Sequence, residues 1–96
     1  MLVLVTYDIG TTTSAGTKRL HKVAKVCLNY GQRVQNSVFE CIVNEEQSVY
    51  LRNELSKLID QEKDSIRFYF LGNNYLKRVE QIGKNTSIDL NGDLIL

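Results

Sequence analysis

The order in which apolar patterns follow one another constrains the fold of this chain more than any other feature. Residues 2–7, LVLVTY, are apolar on both faces and rich in β-branched side chains, as in a buried central strand. Residues 17–30 then place apolar side chains at helical spacing, whereas residues 33–43 and 65–71 alternate like strands. With 96 residues, the chain has room for one sheet and about two helices, which predicts a single domain.

Turn and cap residues divide the middle of the chain. The alternating segment after the first helix contains Asn36 and Ser37, which favour a tight hairpin at that point. Asn44 followed three residues later by Gln47 predicts a capping box at the start of a second helix. We expect this helix to end near Lys63.

The resulting order is βαββαβ, which is typical of an α+β, ferredoxin-like domain with both helices on one face of an antiparallel sheet. Residues 1–71 form the core in this interpretation, and residues 72–96 form a strand-forming tail. The tail contains two apolar segments that the core does not need, VEQIG (79–83) and SIDLNGDLIL (87–96). Because the second face of the sheet is left open, we expect a homodimer in which C-terminal strands pair with the partner's sheet.

Composition excludes several classes of protein. The two cysteines, Cys27 and Cys41, form no CxxC motif and the chain has one histidine, so neither a zinc site nor a disulfide framework is predicted. We expect both cysteines to be buried.

The N-terminal apolar segment lacks a basic region, and no apolar run approaches the roughly 18 residues of a membrane span. The expectation is a cytoplasmic protein that does not bind membranes.

Charge is distributed unevenly along the chain. Residues 1–44 carry five basic and two acidic side chains, whereas residues 45–64 carry three basic and six acidic ones. The first helix is therefore basic, through Lys18, Arg19 and Lys22, and the second is acidic. Two interpretations stay open, namely two solvated helix faces or a first helix that faces phosphate groups.

The segment GTTTSAGTK after the first strand has the setting of a nucleotide-binding P-loop but not its spacing. Five residues separate Gly10 from Gly16, and Thr17 intervenes before Lys18, whereas the P-loop has four residues between its glycines and then Gly-Lys. We therefore expect no nucleotide hydrolysis. Backbone N–H groups of this loop are predicted to contact phosphates of a nucleic acid instead.

Asp8, at the end of the first strand, is the main candidate for chemistry. It either caps the turn that follows or ligates a hard cation such as Mg²⁺, which prefers one or two carboxylates. A two-fold axis near this strand end would bring in a second Asp8, and Mn²⁺ would be a substitute metal. His21 lies on the polar side of the first helix, and we assign it no role.

Three stretches together resemble a known family: LVLVTYDI at the N-terminus, NYGQRVQNSVFEC after the first helix, and NGDLIL at the end. The chain is similar to the small CRISPR-associated adaptation proteins, which are the non-integrase core subunits named CRISPR-associated endonucleases or endoribonucleases. The resemblance covers nearly the whole chain.

The resemblance implies a ferredoxin-like homodimer that holds a divalent metal between the two copies of Asp8. It also implies that the dimer bridges two dimers of a CRISPR integrase and supports DNA during spacer acquisition. Tyr7 and Asp8 match the strand-end pair and become the candidate catalytic residues. The candidate nucleic-acid-binding residues are Lys18, Arg19, Lys22, Arg33, Ser37 and Phe39.

Three functions remain open at this point. The first is a metal-dependent endonuclease that is also a subunit of the spacer-acquisition complex. The second is a non-catalytic DNA-binding scaffold for the integrase, which the single candidate carboxylate favours. The third is an RNase toxin with the same fold. The sequence leaves open whether duplex DNA, single-stranded DNA or RNA is the substrate.

Overall fold

The structure is a computed structural model, and it describes residues 1–84. The elements follow the predicted order, which confirms the α+β, ferredoxin-like fold. They are β1 (Leu2–Asp8), α1 (Ser14–Leu28), β2 (Gly31–Gln35), β3 (Val38–Ile42), α2 (Glu45–Leu58) and β4 (Ser65–Gly72), followed by a 3-10 turn at Tyr75–Lys77. The predicted hairpin is the β2–β3 pair, and Ser37 in its turn has a φ of 61°.

The four strands form one antiparallel sheet in the order β2-β3-β1-β4. The first strand thus lies between β3 and β4, as its apolar residues on both faces predicted. In the register of the sheet, Val5 lies opposite Phe39 on one side and Phe68 on the other, and Asp8 lies opposite Ser65. The end of β1 therefore lies beside the start of β4.

One face of the sheet packs against both helices and forms the core. Its buried side chains alternate along β1 and β3 and meet apolar positions of the two helices. They are Val3, Val5, Tyr7, Phe39 and Cys41 from the sheet, Val23, Ala24 and Cys27 from α1, and Leu51 and Leu55 from α2. Both cysteines are free and buried, as predicted. On the opposite face, Leu4, Thr6 and Glu40 are only partly covered within this single chain.

Both helices differ from the predicted boundaries because of local side-chain bonds. Helix α1 begins before residue 17, since the Thr13 hydroxyl accepts from the Gly16 N–H at 3.1 Å and caps the helix there. Helix α2 begins at the predicted capping box but ends at Leu58 rather than near Lys63. The Asp60 carboxylate accepts from the Glu62 N–H at 3.0 Å, and such a turn competes with helix continuation.

One further expectation about apolar residues is wrong for the single chain. Leu28 belongs to the apolar residues at helical spacing in residues 17–30, which predicts that it faces the core, but it is 57% exposed at the end of α1. Residues 79–83 form no strand within the described part of this one chain, and their pairing with a partner chain stays a prediction. The predicted strand-forming segment over residues 87–96 and its exchange in a homodimer lie outside the described residues. Neither helix of the described part has the length and apolar character needed to cross a bilayer.

Candidate active site

Asp8 lies at the exposed end of the central strand and has no partner in the described part of the chain. Within residues 1–84 its carboxylate accepts no hydrogen bond and forms no ion pair. The turn that follows is capped by another residue, since the Gly10 N–H donates to the Asp64 carboxylate at 3.0 Å. The capping interpretation therefore fails for Asp8, and its oxygens are available to an external cation.

Asp64 is the most constrained side chain at this end of the sheet. Its side chain is fully buried, and Arg19 binds it through Nε at 2.7 Å and Nη2 at 3.3 Å. The N–H groups of Gly10 and Asp60 also donate to it, at 3.0 and 2.8 Å. The Arg19 guanidinium, together with these N–H groups, lowers the pKa of Asp64 from its ordinary 3.8 to about 2. This carboxylate is charged at neutral pH.

This ion pair corrects one predicted nucleic-acid contact. Arg19 turns towards Asp64, and only 18% of its side chain is exposed, so it is a structural partner rather than a cation facing phosphate. Lys18 and Lys22 behave differently. Both are exposed, and neither forms an ion pair within residues 1–84. His21 is exposed as well, in agreement with its position on the polar side of the helix.

The other predicted site residues lie at the same end of the sheet but at different depths. Tyr7 is 7% exposed and stacks on Phe39, with ring centroids 6.1 Å apart. Burial raises the pKa of Tyr7, and interactions of its hydroxyl with Arg33 and Ser37 oppose that rise. Its phenol is therefore protonated at neutral pH. The Tyr7 N–H donates to the Ser37 carbonyl oxygen at 3.0 Å, which ties the hairpin turn to the strand that carries Asp8.

Phe39 is the second correction. It is fully buried in the core, so its ring cannot stack on a base, and the predicted contact with nucleic acid conflicts with the structure. Its contribution is indirect. The exposed Arg33 places its guanidinium carbon 5.2 Å from the centre of the Phe39 ring, within the range of a cation–π contact. Phe39 thus helps to hold a cation at the surface.

A metal at this site would have few protein ligands from the described part of one chain. Residues 1–84 contain no group of three or more histidine, cysteine, aspartate or glutamate side chains that could hold an ion. Asp8 fits the expected ligand type, because it offers an exposed and unpaired carboxylate at the end of the strand. This donor set agrees with Mg²⁺, which accepts one or two protein carboxylates and keeps several water ligands.

Sequence reasoning missed the residues that hold the loop after Asp8, namely Gly10, Gly16 and Asp64. In the sequence, Asp64 was noted only as one of the six acidic residues in the segment 45–64. Its position directly before β4 was the available signal, since an antiparallel β4 beside β1 must place its first residues next to the end of β1.

Comparison with known proteins shows the family to which the chain belongs. The family model described as CRISPR associated protein Cas2 matches residues 1–79. This chain belongs to the Cas2 family. The match confirms the resemblance inferred from the sequence motifs and favours a CRISPR-associated protein over an RNase toxin outside CRISPR systems.

Individual members of the Cas2 family match over the whole chain. The chain is 64% identical to the CRISPR-associated endonuclease Cas2 of Halalkalibacterium halodurans, with 99% of each chain covered. It is 57% identical to the CRISPR-associated endoribonuclease Cas2 of Chlorobaculum tepidum, with 100% of each covered. Closely related proteins therefore bear two different nuclease names.

Solved structures of the Cas2 family share the fold. The crystal structure of Streptococcus pyogenes Cas2 at pH 6.5 matches with a TM-score of 0.75 and 58% identity, covering 86% of this chain and 100% of that one. A chain of a partial Cas6-RT-Cas1–Cas2 complex matches with a TM-score of 0.56 and 27% identity, covering 99% and 97%.

Proposed function

We propose that this protein is a metal-dependent endonuclease that also acts as a subunit of the CRISPR spacer-acquisition complex. The observation that carries the nuclease part is Asp8, an exposed carboxylate at a strand end with no partner within residues 1–84. The nuclease names of relatives at 64% and 57% identity support it. The similarity to a chain of a Cas1–Cas2 complex supports an integrase partner.

In this proposal, two chains form a homodimer and each contributes Asp8 to one Mg²⁺ site. When bound, the cation would polarise a phosphodiester and favour ionisation of a water molecule. The chain's own residues orient the substrate around it. Arg33, Lys18 and Lys22 are exposed cations that bind backbone phosphates, and Ser37 fixes the turn next to the strand end.

Tyr7 supports this site without reacting. Its buried and protonated phenol packs on Phe39 and meets the side chains of Arg33 and Ser37. These contacts hold Tyr7, the residue before Asp8 in β1, on the face of the sheet that packs against the core. We expect Tyr7→Phe to keep most of the cleavage activity, whereas loss of the ring would disturb the strand end.

The test of the nuclease proposal is Asp8→Asn. This change keeps the size of the side chain and removes the charge that holds the cation, so cleavage of a labelled duplex or RNA should fall by orders of magnitude. Folding should be unaffected, because no described residue depends on the Asp8 carboxylate. Activity of the unchanged protein should disappear in EDTA and return with Mg²⁺ or Mn²⁺.

Glu46→Gln provides the matched control. It removes one exposed carboxylate from the first turn of α2, at the opposite end of the sheet, and should leave cleavage unchanged. Equal cleavage by wild type and Asp8→Asn, purified identically, would reveal a contaminating nuclease and overturn the role of Asp8.

The second candidate function is a DNA-binding scaffold without catalysis. It is favoured by the absence of any cluster of three metal-ligating side chains within residues 1–84, together with the unpaired Lys18 and Lys22. Spacer integration with the partner integrase separates the two functions. Asp8→Asn that cannot cleave but still supports integration would make the scaffold role the physiological one.

A further inference from the structure

The loop after Asp8 is held by two contacts that come from different parts of the chain. The first is the bond from the Gly10 N–H to Asp64, a residue 54 positions away. The second is the close packing of Gly16, in the first turn of α1, against the backbone of Gly10. Gly10 therefore lies between a buried carboxylate and a helix, two residues after the candidate ligand.

The contact at Gly16 leaves no room for a side chain. A Cβ atom there would overlap the Gly10 carbonyl oxygen and lie 2.9 Å from the Gly10 carbonyl carbon. Both contacted atoms belong to the backbone, so they cannot move aside by a change of rotamer. Gly16 is required for this close approach alone, since its φ is negative. By contrast, a Cβ at Gly10 would meet its nearest neighbour, the Lys63 carbonyl oxygen, at 3.4 Å.

The contact at Asp64 depends on charge and on geometry. Its two carboxylate oxygens receive hydrogen bonds from Arg19 and from the N–H groups of Gly10 and Asp60. The next residue, Ser65, lies opposite Asp8 in the sheet. Asp64 is thus bonded to the loop that follows Asp8. It also directly precedes Ser65, which is the strand neighbour of Asp8.

We propose that Gly16, Arg19 and Asp64 act together as a clamp that fixes the direction of the Asp8 carboxylate for cation binding. They are positioning residues, because none of them offers a free ligand oxygen to the cation. This inference rests on the proposed metal-dependent function. It also explains why the glycines of the segment have a spacing that differs from that of a P-loop: Gly16 serves a close backbone contact and not a phosphate.

The test measures Mn²⁺ binding to the full-length protein by electron paramagnetic resonance of the free ion. Gly16→Ala and Asp64→Asn should each weaken Mn²⁺ binding about tenfold or more, as is usual when groups that orient a metal ligand are lost. Arg19→Lys should bind better than Arg19→Ala, since lysine keeps the charge. Amide exchange of Gly10 by NMR should be faster in Asp64→Asn than in wild type.

Two controls separate positioning from general loss of stability. Gly10→Ala changes the same loop without a backbone overlap and should keep Mn²⁺ affinity within about twofold of wild type. Val43→Ala removes buried apolar volume at the opposite end of the sheet, and should lower the melting temperature while leaving Mn²⁺ binding unchanged.

The outcomes are distinct. Wild-type Mn²⁺ affinity in Asp64→Asn and Gly16→Ala, with binding lost in Asp8→Asn, would overturn the clamp and leave the proposed function standing. Wild-type affinity in Asp8→Asn would overturn the proposed function itself. If Gly16→Ala does not fold, the comparison of Asp64→Asn with Val43→Ala at matched stability decides the question alone.

Discussion

The two ends of the central strand are held by different kinds of interaction. At the amino end, the Met1 amino group donates to the Val43 carbonyl oxygen at 2.7 Å, and the Val43 N–H donates to the Met1 oxygen at 2.9 Å. At the carboxyl end, the stabilising bonds involve side chains. The Asp64 carboxylate accepts hydrogen bonds from the Gly10 N–H and from Arg19, which lie 54 and 45 residues away in the sequence.

This difference has a consequence for tolerance to substitution. Hydrogen bonds between backbone groups at the amino end are available to almost any residue, so that end depends mainly on apolar volume. The carboxyl end depends on three particular residues, which are Asp64, Arg19 and Gly16. The more specific interactions surround the exposed Asp8, which agrees with a requirement for fixed geometry at that end.

Among the substitutions that compare the two ends of the central strand, Phe39→Ala is expected to lower stability most. Phe39 is fully buried beneath Tyr7 and Arg33, and loss of such a ring typically costs about 3–5 kcal/mol of stability. Val43→Ala should cost less, about 2 kcal/mol, because it removes only two methyl groups. Urea unfolding of both variants measures the difference.

Phe39→Ala, compared with Arg33→Ala, also tests whether the buried Phe39 ring contacts nucleic acid. The measurement uses a temperature at which Phe39→Ala is fully folded. Its affinity for duplex DNA should then fall no further than that of Arg33→Ala, because the expected effect on binding is the loss of the contact that supports Arg33. A loss of affinity larger than that of Arg33→Ala would show that the ring reaches the nucleic acid after all.

Local signals predicted the order of elements well. The Asn44–Gln47 capping box is formed by residues three positions apart, and the turn at Ser37 is equally local. The positions of Arg19 and Phe39 were not accessible in this way. Alternation in a strand separates its residues into two faces without saying which face the helices cover, so Phe39 could not be assigned to the core.

Arg19 shows the second limit. It is adjacent to Lys18 and equally basic, and only the position of Asp64, 45 residues later, distinguishes a buried ion pair from a solvated cation. A metal site at Asp8 stays a prediction, although the position of Asp8 at the strand end was predicted from the sequence. Its clamp was not, because close backbone packing between Gly10 and Gly16 leaves no mark in residue type beyond the glycines.

A smaller effect is expected from acid. The pKa of Asp64 is about 2 in the folded chain against an ordinary 3.8, so its contribution to stability is complete above pH 3.8 and is lost as the pH falls towards 2. Amide protection of Gly10, relative to the unfolded chain, should therefore decrease over this window. The protection of Val43, whose N–H bonds to a backbone oxygen, should change less.

Asp64→Asn is the control for this titration. Its amide side chain does not ionise, so the pH dependence of Gly10 protection should disappear in that variant. A parallel loss of protection at Gly10 and Val43 in wild type would indicate global acid unfolding and would remove the distinction between the two ends.

The smallest effect concerns which end of α1 meets a nucleic acid. Lys18 lies in the second turn of α1, near the loop that follows Asp8, whereas Lys25 lies in its last turn, and both are exposed. If duplex DNA is held at the Asp8 end, Lys18→Ala should reduce the slope of log affinity against log salt by about 0.9, the contribution of one phosphate contact. Lys25→Ala should leave both the slope and the affinity unchanged, whereas the loss of affinity in Lys18→Ala should be the same for all sequences, since phosphate contacts read no bases. Fluorescence anisotropy of a labelled duplex at four or more salt concentrations measures the slopes. Equal slopes for the two variants would place the DNA along the whole helix and would end the functional distinction between the two ends of the sheet, even if the structural one stands.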